Sequence, residues 1–215
     1  MIKKLLLTFS LLVFGLSCAA AEDTAKTYVV GTDYDVITPP IRTLEPGKIE
    51  VAEFFWYGCH HCFDFEPLIE AWEKNMPDDV SFRGIPAIWG EGMDLHAKAF
   101  YTAQALGVED TMTPVLFHAM NVEHKRLASQ EEIGALFVAN GVALEDFNKA
   151  FNSFGVGSEI RQAVAVAKAA QMTGTPALMV NGKYLVTGRK AGTQADMLKV
   201  VDFLVEQERA AKAKK

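Results

Sequence analysis

Hydrophobic and polar positions change their period several times along the chain, and each change predicts an element. From Lys48 to Trp56 the run KIEVAEFFW is apolar on both faces of an extended segment, interrupted only by Glu50 and Glu53; such a run predicts a buried central strand. Past Gly58 the apolar positions become Cys62, Phe65, Leu68, Ile69 and Trp72, a helical spacing, and Pro67 within it predicts a kink. Val80 to Ile88 predicts a second strand, followed by a turn at Gly90 and Gly92. Between about Asp94 and Phe154 no strand period occurs. This block reads as four short helices broken near Gly107, Thr113-Pro114, Ser129 and Gly141, with Ser129-Gln130-Glu131-Glu132 as a capping box. A further helix is expected from Gly157 to Met172. Then Ala177 to Val180 and Lys183 to Val186 predict a hairpin around a two-residue turn, Asn181-Gly182, whose residues tolerate positive φ. A last helix should run from about Thr193 to Ala210.

Apart from the helical block, this is the element order of a thioredoxin-like α/β fold. The block falls between the two halves, which implies an all-helical domain at 91–155 inserted into a discontinuous unit of residues 27–90 and 156–211.

The amino terminus adds an address. Lys3 and Lys4, an apolar run from Leu5 to Leu16 and the small residues up to Ala21 have the form of a secretory signal peptide, residues 1–21, cleaved after Ala20 or Ala21. The alternative, lipid attachment at Cys18, has Gly15 where such sites usually carry leucine. Losing Lys3 and Lys4 with the leader takes the formal net charge from −6 to −8. An acidic chain without a basic patch is a poor partner for nucleic acid. Export would place the remaining cysteines, Cys59 and Cys62, where disulfides persist. A chain of roughly 190 residues buries a core without a disulfide framework, so the pair is not needed for stability.

Cys59 and Cys62 stand three apart at a strand-to-helix junction. Free helical N–H groups and the positive end of the helix dipole favour the Cys59 thiolate, and the imidazoles of His60 and His61 could stabilise the same charge. A stable thiolate means a stable reduced form, hence a disulfide that is readily given up. Cys59 should be the exposed, attacked sulfur, because Cys62 shares a face with Phe65 and Ile69. Glu53 interrupts the buried strand six residues before Cys59. If buried, its raised pKa would let it carry a proton to or from Cys62; otherwise it lies on a strand face that water reaches. Arg83 on the neighbouring strand is a candidate partner for Glu53. Pro176 should open its strand, with a trans bond after Thr175 as the default.

Bland readings compete with these. A CxxC pair can be half of a zinc site, but no second pair exists, and His96, His118 and His124 read as scattered surface residues. A static disulfide closing so small a loop would stabilise little. The expectation is therefore no metal and no cofactor beyond the cysteine pair itself.

FFWYGCHHCFDFEP, ALGVED, FNSF and TGTPALMVNGKY together resemble the DsbA family of periplasmic disulfide oxidases over nearly the whole mature chain. For that family an acidified cysteine and strong oxidising character are established properties. The resemblance implies that Pro176 is cis and, with Thr175, faces the Cys59-Cys62 pair beside a groove for unfolded exported polypeptides, and that Glu53 is the acid beneath the pair. It also implies reoxidation by a membrane quinone-linked partner of the DsbB type. A monomer suits such a protein. His60 stands where the commonest family motif has proline, and Thr175 where many oxidases have valine. These departures keep an isomerase or a reductant of exported thiols open as alternatives. Outside enzymes, a peptide-binding holdase and a metal-binding module are the rival classes.

Overall fold

The computed structural model describes residues 26–90 and 92–214. The expected leader and Cys18 lie outside the described residues. A short strand β1 (Asp35–Val36) precedes β2 (Ile49–Phe55), α1 (His60–Glu73) and β3 (Val80–Pro86). Five helices follow: α2 (Met93–Leu106), α3 (Glu109–Asn121), α4 (Gln130–Ala139), α5 (Leu144–Phe151) and α6 (Phe154–Ala169). The chain closes with β4 (Ala177–Val180), β5 (Tyr184–Thr187), the single turn α7 (Gly188–Ala191) and α8 (Gln194–Lys212). The strands form one mixed sheet in the order β1-β5-β4-β2-β3, with β2 and β3 parallel and the other pairs antiparallel.

All seven residues of β2 are buried, as a strand flanked on both sides requires. Ile49 and Val51 pack in one cluster with Phe65 and Ile69 of α1 and with Val200, Val201 and Leu204 of α8. Phe54 and Phe55 belong to a second cluster that continues into α2 to α6 through Phe100, Met112, Phe117 and Phe147. The helical segment is thus packed onto the carboxyl end of β2. No helix among the described residues is long and apolar enough to cross a membrane.

Several expectations are corrected. Helix α3 runs unbroken through Pro114, the sixth residue of the helix. Helix α6 begins at Phe154 rather than Gly157, because the Ser153 hydroxyl accepts the Val156 N–H at 3.1 Å and caps it. At α4 the Ser129 hydroxyl accepts from Glu132 N–H at 3.2 Å, but the Glu132 carboxylate reaches back to Ala128 N–H, not to the Ser129 N–H of a full capping box. The hairpin turn has positive φ at Asn181 and Gly182 and is closed by Lys183 N–H on the Val180 carbonyl at 2.9 Å. Strand pairing resumes at Val180–Tyr184, so the connection is three residues long. Gly182 is seated against the preceding chain: its carbonyl accepts Ile41 N–H at 2.8 Å, and a β-carbon there would overlap the Ile41 carbonyl. Glu208 of α8 gathers the same turn by accepting hydrogen bonds from Asn181, Lys183 and Tyr184.

Candidate active site

The segment Trp56-Tyr57-Gly58 leaves β2 and delivers Cys59 to the N-cap of α1, where Cys59 N–H donates to the Trp56 carbonyl at 2.9 Å. Gly58 is required by close approach, since a β-carbon there would enter the Trp56 ring. The inserted helices grip this turn from the other side. Trp56 Nε1 donates to His96 Nδ1 of α2 at 2.9 Å, Asn121 of α3 donates to the Tyr57 carbonyl at 2.8 Å, and the Tyr57 hydroxyl lies 3.3 Å from that of Thr113.

Cys59 and Cys62 are free thiols, one half-buried and the other 1 % exposed. Cys62 lies with Phe65 and Ile69 on the buried face of α1. Thr175-Pro176 has a cis peptide bond just before β4, and the Cys59 thiol lies 3.6 Å from the Thr175 carbonyl oxygen. The Cys59 thiol is brought down to about 5. The hydrogen bond from Cys62 contributes most, followed by the Thr175 side chain and the N–H groups of Cys62 and His61, against the opposing effect of burial. Cys62 is driven the other way, first by burial and then by its hydrogen bond to Cys59. The two sulfurs therefore divide their labour: one holds a charge at neutral pH, the other a proton.

The histidines act differently from expectation. His60 and His61 are exposed, and the His60 imidazole turns to Asp64, 3.6 Å away, rather than to the sulfur. What reaches Cys59 from this pair is the His61 backbone N–H, while the His61 carbonyl accepts from Gln194 of α8. His96, expected at the surface, is buried. Among the described residues no group of three or more His, Cys, Asp or Glu is placed to hold a metal ion.

Glu53 is only 4 % exposed. Its carboxyl is held well above the usual range, first by burial and then by the charges of Glu66, Cys59 and Glu73. Arg83 is not its partner; the guanidinium lies on Glu50 at 3.1 Å, because Glu50 and Glu53, three apart on a strand, point to opposite faces. Glu53 instead faces a cavity of about 700 Å³ between α1, β3, α2 and α3, together with Glu66, Glu70, Glu73 and Glu109. Burial and its acidic neighbours raise Glu66 to about 7. The position of Glu66 was readable in principle, since Glu66, Glu70 and Glu73 recur at helical spacing on α1.

Residues 79–198 match the model of the DSBA-like thioredoxin domain. Over 212 residues the chain is 40 % identical to the thiol:disulfide interchange protein DsbA of Pseudomonas aeruginosa, covering 99 % of this chain and all of that one. The chain belongs to the DsbA family. A DsbA protein of Azotobacter vinelandii is 39 % identical over 93 % of each chain. The crystal structure of P. aeruginosa DsbA superposes with a TM-score of 0.83 at 41 % identity, covering 87 % of this chain and 97 % of that one. DsbA from Xylella fastidiosa does so with a TM-score of 0.80 at 34 % identity over 85 % and 98 %. As a DsbA-family protein with a thioredoxin-like fold, the chain is a thiol-disulfide oxidoreductase.

Proposed function

We propose that the chain is a periplasmic disulfide oxidase that donates a Cys59-Cys62 disulfide to exported polypeptides as they fold. The observation that carries this reading is the opposed acidity of the two sulfurs, Cys59 down to about 5 and Cys62 pushed far up by burial. A thiol that is easily ionised is a good leaving group and stabilises the reduced protein, which makes the disulfide a strong oxidant.

A substrate thiolate attacks Cys59 Sγ; the Cys59–Cys62 bond breaks, and Cys62 departs with the electron pair. Cys62 then needs a proton, because its buried thiolate is disfavoured. Glu53 remains protonated above the ordinary carboxyl range and is assigned as the donor. A second substrate thiolate attacks the substrate sulfur of the mixed disulfide, and Cys59 leaves as its stable thiolate. The substrate has lost two electrons, and the protein has gained them. Thr175 and Pro176 border the sulfur where an extended substrate would pass. Turnover requires an oxidant, for which a membrane quinone-linked reoxidase of the DsbB type is assigned. The pair serves as its own redox centre without a cofactor, in a monomer.

The test is the reduction potential against glutathione, followed by tryptophan fluorescence, since Trp56 lies three residues from Cys59. The extra stability of the reduced form is fully present above the ordinary thiol range and is lost as pH falls through about 5. The potential should lie well above the glutathione couple, with a slope of about 30 mV per pH unit on the alkaline side of a break and about twice that below it. The break should fall at about pH 5. A potential near that of thioredoxin, without the break, favours a reductant and overturns the oxidase.

A further inference from the structure

Trp56 is tied at both ends. Its carbonyl accepts the Cys59 N–H at 2.9 Å, and its indole N–H donates to His96 Nδ1 at 2.9 Å. An indole nitrogen can only donate, so His96 Nδ1 must be the bare, accepting nitrogen. The other nitrogen, Nε2, lies 3.2 Å from the carbonyl of Arg126, which can only accept, so Nε2 carries the proton. Both partners thus select the same neutral tautomer. The ring is 6 % exposed and lies beside the indole, 6.1 Å between centroids with 28° between the planes, as an in-plane hydrogen bond requires. Arg126 lies in the connection between α3 and α4, within two residues of His124 and one of Leu127, both of which adopt positive φ. The imidazole therefore spans from that connection, through α2, to the turn that presents Cys59.

We propose that His96 is a positioning residue of the redox site, fixing the Trp56-Tyr57-Gly58 turn through the single tautomer that its two partners select. This rests on the assignment of Cys59 as the attacked sulfur. The indole underlies Gly58, leaving no room for a β-carbon, so any shift of Trp56 moves the backbone that sets Cys59 at the helix N-cap. The effect differs between redox states. A disulfide holds Cys59 against Cys62 covalently, whereas the reduced thiolate depends on hydrogen bonds from Cys62, Thr175 and His61 that are aimed by this turn. Releasing Trp56 accordingly costs the reduced state more and makes the protein a weaker oxidant.

Two substitutions separate positioning from packing. His96→Asn places an oxygen near the position of Nδ1 and can still accept from Trp56; His96→Gln reaches toward Arg126 but abandons the indole. The equilibrium constant with glutathione should move about tenfold toward the oxidised protein in His96→Gln, the factor carried by one hydrogen bond of ordinary strength. His96→Asn should stay close to the parent, and His96→Gln should have no further effect in a Trp56→Phe background. Equal losses in the two variants, or an undiminished effect of His96→Gln without the indole, would reduce His96 to a packing residue. Should the Gln variant not fold, long-range proton–nitrogen NMR of the unaltered protein decides: a protonated Nδ1 overturns the proposal, and a bare Nδ1 beside a protonated Nε2 upholds it. If Cys59→Ser leaves exchange intact, the assignment of the attacked sulfur fails instead, whatever the tautomer.

Discussion

At the scale of the residue, the site is a contest over where one negative charge rests. Thr175 supports the Cys59 thiolate through its side chain, so Thr175→Val should raise the Cys59 pKa above about 5 and lower the reduction potential. Ultraviolet thiolate absorbance against pH measures the first and glutathione equilibration the second. Glu53 has another task. Its buried carboxyl, held above the usual range, is the proton donor proposed for Cys62, so Glu53→Gln should slow exchange about tenfold or more, the low end of the range for general acid-base catalysis. The stability of the disulfide should change less. Stopped-flow kinetics of the variant decide it; unchanged rates would remove Glu53 from the mechanism. The cysteines and the position of Glu53 were legible because each breaks a strong pattern, a charge in an apolar strand or two thiols at a helix start, whereas the burial of Glu53 was left open by that pattern and is settled by the fold. His96 was not, because a histidine on α2 shows its role only when Trp56 and Arg126, distant in sequence, close around it.

At the scale of the element, caps decide where helices begin and charges decide which strand faces meet. Ser153 starts α6 three residues earlier than its apolar period does, and Gly155 and Gly157 in the first turn hid that start from periodicity. Ser153→Ala should destabilise the fold by about 1 kcal/mol, measured by denaturant unfolding. The long buried strand β2 and the hairpin β4–β5 were readable, since continuous apolar runs and Asn181-Gly182 are strong local signals. Strand β1 and helix α7 were not. A two-residue strand and a single helical turn carry too few positions to show a period, and both exist through pairing or packing with distant chain. The expected Arg83–Glu53 pair failed for a similar reason: strand alternation places Glu53 toward α1 and leaves Glu50 on the side of Arg83.

At the scale of the whole molecule, the helices inserted between β3 and β4 are joined to the sheet by aromatic contact. Phe55 packs edge-on against Phe100 at 5.1 Å, and Tyr57 against Phe117 at 4.9 Å. Phe117 is 1 % exposed and touches rings from β2, the following turn and α1, so truncation leaves a cavity where the two parts meet. Phe117→Ala should cost about 3–5 kcal/mol. Circular dichroism of the helices and tryptophan fluorescence beside the sheet should lose their signals in one coincident transition, because neither part unfolds without stripping the other's core. The insertion of the helical block was visible in the order of elements, but its grip on Trp56 and Tyr57 was not, since it is made by single side chains. The far end of the sheet carries a practical lesson for engineering. A hairpin tip with Asn-Gly is ordinarily the place to splice in a tag, open new termini for circular permutation or graft a binding loop. Here Gly182 is pressed against Ile41 and Glu208 binds the turn from beneath, so this tip is a keystone. Added sequence there would separate the amino-terminal segment from the sheet, and such grafts belong elsewhere on the molecule.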